Sequence, residues 1–188
     1  MDFKKNIFDY FDKLKKSADT IPAEELNNLI NLLFVARNEG RQILIMGNGG
    51  SAATASHITC DLNKNPVNSN AKRLKIICLS DNTPSLMAYG NDMSYDDIFI
   101  EPLKNFLNEN DLVIGLSGSG NSNNVIKALE YANQHRAITI ALTGYDGGKL
   151  KQIAKHNIHI PVNDMQITED LHLALWHCIM RVLHDNTN

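Results

Sequence analysis

The chain has 188 residues, a net charge of -3, and 43% hydrophobic and 21% charged side chains, proportions that suit one globular domain with enough apolar residues for a core. A charge so slight and dispersed provides neither the basic footprint of a nucleic-acid binder nor a polybasic membrane patch, and no apolar run approaches the roughly 20 residues of a membrane span. Cys60, Cys78 and Cys178 are odd in number and lack a CxxC spacing, so they are expected as buried thiols of a soluble, cytoplasmic protein.

The opening stretch MDFKKNIFDYFDKLKK has no apolar signal core. Phe3, Ile7, Phe8, Phe11 and Leu14 recur at helical spacing and predict an amphipathic helix. Pro22 stands where a second helix begins, and AEELNNLINLLFVARNEG runs apolar at helical intervals until Gly40 stops it. Both helices precede any strand and carry more apolar residues than one narrow stripe on a sheet needs. Packing on the sheet is one reading of the excess; helix pairing between subunits is the favoured one.

Beyond Gly40 the short apolar runs QILIM, LKIICL, DLVIGL, AITIAL and the weaker NIHIP are each followed by turn chemistry and a helical pattern. The alternation predicts an α/β three-layer sandwich, a five-stranded parallel sheet with right-handed crossover helices on both faces. TEDLHLALWHCIMRVLHD reads as a closing helix with Thr168 as its cap. One domain over residues 1–188 is expected, a helical segment over 1–40 preceding an α/β core over 41–188.

Three predicted strands end in glycine- or hydroxyl-rich turns, MGNGGS at 46–51, LSGSGNS at 116–122 and LTGYDGG at 142–148. In an open parallel sheet, ligands bind at the carboxyl ends of strands, where helix N-termini offer free amides and a positive dipole end. Ser117, Ser119 and Ser122 can each give a hydroxyl to a phosphate oxygen while Gly118 and Gly120 keep the backbone close, and Ser51 is expected to cap the helix after the first turn. The absence of a Walker lysine and of GxGxxG turns the reading away from nucleotides and toward a small phosphorylated ligand. Asp146, before glycine, reads as a turn residue.

His57 and Asp61, at i and i+4, share one face of the predicted helix after the first turn. Such pairs are usually surface caps or solvated ion pairs. On the closing helix, Glu169 and His177 lie roughly 80° apart around the axis, whereas His172 lies about 140° from His177 and cannot share an ion with it. A structural role is favoured for His172, with a salt bridge or a neighbouring subunit's site as alternatives. Trp176 and Met180 read as core or interface, and His135, His156, His159 and His184 as surface positions.

Together, MGNGGSAATASH, SDNTPSLMAYGND, GLSGSGNSNNVIKAL, ALTGYDGGKL and EDLHLALWH resemble the sugar isomerase (SIS) domain family, and within it the phosphoheptose isomerases. The resemblance implies a flavodoxin-like sheet, a homotetramer with sites between subunits, and isomerisation of sedoheptulose 7-phosphate through an enediol, with no nucleotide cofactor. It implies substrate contacts at Asn48, Gly49, Gly50, Ser51, Asn91, Asp92, Ser117, Gly118, Ser119 and Ser122. The family's metal and acid/base positions map onto His57, Asp61, Glu169 and His177, zinc being the metal implied and Asp61 and His177 the proton carriers. Glu169 and Asp61 are also implied substrate contacts. The chain departs from the family's usual glutamate at Asp61, glutamine at Glu169, threonine at Gly118 and arginine at Asn65. An isomerase of another ketose phosphate, and a noncatalytic SIS protein that binds a sugar phosphate or the replication initiator, are the alternatives.

Overall fold

The computed structural model describes residues 1–64 and 72–186, so the departure at Asn65 lies outside the described residues. Helices α1 (Lys4–Ala18) and α2 (Ala23–Glu39) lead into β1 (Gln42–Gly47), α3 (Gly49–Lys64) and β2 (Lys75–Cys78). Next come α4 (Thr83–Asp92), a 3-10 turn over Tyr95–Asp97, α5 (Ile100–Phe106) and β3 (Leu112–Ser117). Then α6 (Asn123–Gln134), β4 (Ile138–Thr143), α7 (Gly148–Ile153), β5 (His156–His159) and α8 (Met165–Asp185) complete the chain.

All five strands pair in parallel, in the order β2-β1-β3-β4-β5, the flavodoxin-like arrangement. Alternation within β1 shows how the layers arise: Ile43 and Ile45 join the core built with α2, α3 and α8, while Leu44 and Met46 face the core built with α5 and α6. The strand order reverses between β1 and β3, so the turns that follow these two strands diverge and leave a crevice at their carboxyl ends.

Gly40 ends α2 in the left-handed conformation, φ 71°, which glycine adopts at low cost. Two expected caps are corrected. α8 begins three residues before Thr168, with the Asp164 carboxylate accepting Ile167 N–H at 3.2 Å; Thr168 lies inside the first turn and its hydroxyl donates to Asp164 O at 2.8 Å. Likewise α3 starts at Gly49, with Ala52 N–H donating to Asn48 O at 3.2 Å. Ser51 is buried in that first turn against Gly47, where any Cβ would come within 2.8 Å of it.

The α1 helix docks on the N-terminal half of α8 through the Tyr10 hydroxyl on Asp170 and a 2.7 Å ion pair between Lys13 and Asp164. Tyr10, Leu14 and Ala18 pack against the core. Phe3, Ile7, Phe8 and Phe11 instead face outward, Phe8 with 71% of its surface exposed. The expectation of three buried thiols is also corrected: Cys78 is buried, but Cys60 and Cys178 are exposed because they sit on the outer faces of α3 and α8.

Candidate active site

The turns after β3 and β4 are stitched together, Gly144 N–H donating to Gly118 O at 2.8 Å and Leu150 N–H to Gly120 O at 2.9 Å. In the first of them, the buried Ser117 hydroxyl lies 2.9 Å from that of Ser122 and 3.5 Å from that of Ser119. Ser122 is the N-cap of α6, yet its side chain makes no capping bond. Three hydroxyls converge at the N-terminus of this 12-residue helix, the positive end of its dipole, where an anion is favoured. The Met165 side chain at the start of α8 packs over Gly118, its sulfur 2.3 Å from where a Cβ would stand, so a larger residue there would require that side chain to shift. In the next turn Asp146 accepts Gly148 N–H at 3.0 Å, the turn role expected of it.

Across the crevice, Asn48 is held by reciprocal bonds to Asn124, each amide donating to the other at 2.9 Å. The Tyr95 hydroxyl donates to the same Asn48 oxygen at 3.0 Å. Gly49 adopts φ 53° with nothing within 4 Å of the place a Cβ would take, so its backbone is open to a ligand. At Gly50 a Cβ would come within 2.3 Å of the Glu169 carboxylate, which therefore lies against the start of α3. A cavity of about 470 Å³ adjoins this turn, lined in part by Asn48, Thr83, Met87 and Tyr95. Asn91 and Asp92 end α4 just beyond Gly90; they are exposed, and the Asn91 amide donates to Asp92 at 2.8 Å.

Two turns further along α3, His57 Nε2 is 3.3 Å from Asp61 Oδ2 and 3.1 Å from His177 Nε2 of α8. These three donors all fall within 4.8 Å of one another. A tetrahedral zinc site with arms of about 2.0–2.1 Å has edges of about 3.3 Å, so both measured separations suit two ligands of one cation. Three protein donors with a fourth position open is the arrangement of a catalytic metal rather than a structural one. Glu169, implied as a fourth member, is not brought into the group; it lies two turns before His177 on α8, over Gly50. His172 takes no part either. It is 1% exposed, neither ring nitrogen has a hydrogen-bond partner, and burial pushes its pKa down to about 4.

Tyr95 and Asn124 escaped the sequence reading. Nothing about an exposed tyrosine in a 3-10 turn marks it, and Asn124 was legible only as a polar residue opening a helix. His159 was expected at the surface, but it is half-buried, with its ring 3.1 Å from the Thr143 hydroxyl.

This chain belongs to the SIS domain family, whose model matches residues 8–144. More narrowly, its curated relatives include phosphoheptose isomerases. That of Aliarcobacter butzleri is 36% identical over 160 residues, covering 85% of this chain and 84% of its own, and that of Aquifex aeolicus is 33% identical over 181 residues, covering 96% and 94%. Among solved structures, the phosphoheptose isomerase GmhA of Neisseria gonorrhoeae superposes with a TM-score of 0.90 at 27% identity, covering 98% of this chain and all of that one. A phosphoheptose isomerase from Francisella tularensis gives the same TM-score at 25% identity, with 99% of this chain and 100% of that chain covered.

Proposed function

We propose that the protein is an aldose-ketose isomerase that converts sedoheptulose 7-phosphate to D-glycero-D-manno-heptose 7-phosphate, for the heptose of surface polysaccharides. The observation that carries this reading is the meeting of His57, Asp61 and His177, drawn from helices 120 residues apart, on the helix that starts beside the serine loop. His57 lies seven residues beyond Gly50, about 10 Å along the axis, a separation that suits a phosphoryl group at one end of a sugar and a carbonyl at the other.

In this reading Ser117, Gly118, Ser119 and Ser122 hold the phosphoryl oxygens. Asn48, Gly49, Gly50, Ser51, Asn91, Asp92 and Glu169 meet the sugar's hydroxyls. The reaction moves one proton between C1 and C2 and another between their oxygens through a cis-enediol. Asp61 takes the carbon-bound proton and His177 manages the oxygen-bound one. His57, adjacent to both, orients them. A divalent cation, zinc by preference, would be held by His57, Asp61 and His177 and would polarise the sugar carbonyl; Glu169 stands apart from that set.

The enzyme acts as a homotetramer over one SIS domain, with residues 1–40 as the oligomerising segment and with sites completed between subunits. The outward phenylalanines of α1 support this. Unpaired thiols and a phosphorylated substrate support a cytoplasmic location, and no helix among the described residues is long and apolar enough to cross a membrane. A second reading, an isomerase of another ketose phosphate, draws on Gly118: the Met165 side chain fills the space a larger residue would occupy beside the phosphoryl site.

The test is to incubate the purified protein with sedoheptulose 7-phosphate, with and without a chelator, and to follow aldose formation by NMR. Conversion lost on chelation and restored by zinc assigns the triad as cation ligands; conversion indifferent to chelation leaves it as an acid/base set. No conversion under either condition, with zinc restored, refutes the heptose reading. Asp61→Asn and His177→Gln should each abolish turnover with the fold intact, and full activity in either removes that residue from the mechanism.

A further inference from the structure

The pairing of Asn48 with Asn124 joins the two turns that diverge at the β1/β3 switch point. An asparagine side chain has nearly the same shape with its oxygen and nitrogen exchanged, so the hydrogen-bond network must decide which is which. Here the network does so from one end. The Asn124 side-chain atom that meets Val125 N–H at 2.9 Å must be oxygen, because a backbone N–H can only donate. That oxygen also accepts from Asn48 Nδ2, and the remaining Asn124 nitrogen donates to Asn48 Oδ1. The Asn48 oxygen receives its second bond from the Tyr95 hydroxyl.

Both acceptor positions of the Asn48 oxygen are therefore filled, and one of its two N–H bonds is spent on Asn124. A single valence remains, and it is a donor.

We infer that Asn124 and Tyr95 are positioning residues that set the polarity of Asn48, so that its side chain offers the substrate one N–H and no acceptor. The inference rests on the isomerase reading of the site. It assigns Asn48 to a carbonyl, hydroxyl or phosphoryl oxygen acting as acceptor. Asn124 is suited to the task because it is 1% exposed and shielded from competing water. Tyr95 reaches in from the 3-10 turn after α4, so it also couples that segment to the first phosphate turn.

The experiment is a double-mutant cycle on sedoheptulose 7-phosphate turnover, with the Asn48 side-chain amide followed by NMR. Asn124→Asp keeps the volume and the acceptor for Val125 N–H but cannot donate to Asn48. It should lower kcat/KM about ten-fold or more, the effect of one buried hydrogen bond and a reversed amide. Tyr95→Phe, at an exposed position tolerant of change, should lower it several-fold and leave the melting temperature unmoved. In an Asn48→Ala background neither substitution should have a further effect, because both act through Asn48.

Losses that multiply in that background overturn the inference and assign Asn124 a purely structural role. If the wild-type protein fails to turn over the substrate, the isomerase reading falls, and the NMR arm then decides the relay alone. Asn48 amide resonances that shift in both variants uphold it; resonances unchanged from wild type overturn it.

Discussion

His172 makes acid stability a direct test of how α8 is buried. Its ring is 1% exposed, and both nitrogens lack hydrogen-bond partners. Desolvation is the main cause that lowers its pKa from 6.5 to about 4; the Thr143 backbone, near the ring but outside hydrogen-bond geometry, opposes it, and nearby His159 acts in the same direction as burial. In the unfolded chain the imidazole takes up a proton near pH 6.5; in the folded protein it does so only near pH 4. Between those values the unfolded state binds more protons, so stability rises with pH across this window and is lost as pH falls through it. At about 1.4 kcal/mol per pH unit, the span corresponds to a loss of about 3 kcal/mol. The assay is urea unfolding of the wild type and His172→Leu from pH 7.5 to pH 4. The leucine variant should be within about 1 kcal/mol of wild type, or more stable, at pH 7.5, since it removes two unsatisfied buried polar atoms. It should then gain about 3 kcal/mol relative to wild type as the pH falls to 4. Parallel pH profiles for the two proteins would refute the assignment of His172 as a buried neutral imidazole.

Three further outcomes are expected. Gly50→Ala places a methyl within 2.3 Å of the Glu169 carboxylate, the movable end of a half-buried side chain that would swing aside, so stability should shift by no more than about 1 kcal/mol while turnover falls; adding Glu169→Ala should not restore turnover. Ser117→Ala removes the hydroxyl that lies 2.9 Å from Ser122, so KM and inhibition by inorganic phosphate should weaken about ten-fold while stability shifts by no more than about 1 kcal/mol. Phe8→Glu puts a charge on the outward face of α1, and light scattering should report a smaller assembly with unchanged helical content; an unaltered mass would exclude α1 as the oligomerising surface.

Much of the fold was legible because its signals are local. Apolar runs of strand length bounded by turn residues specify each β-strand, glycine- and hydroxyl-rich turns follow three of the five, and Pro22 and Gly40 bound α2 where expected. The cap of α8 was misplaced because Thr168 and Asp164 are both competent cap residues. The packing of Met165 onto Gly118, invisible in a linear reading, accompanies the earlier start. The outward turn of the α1 phenylalanines was legible only as an excess of apolar residues.

By itself the order of residues determined the layered sheet, the hydroxyl-rich turn at the head of α6 and the shared helical face of His57 and Asp61, since each depends on backbone geometry within a few residues. Only the tertiary structure decided that His177 completes that face, that Glu169 rests on Gly50 instead, and that Asn48 is locked between Asn124 and Tyr95. The periodicity of a helix says which side a residue occupies but not what lies opposite, and here the opposing groups come from elements up to 120 residues away.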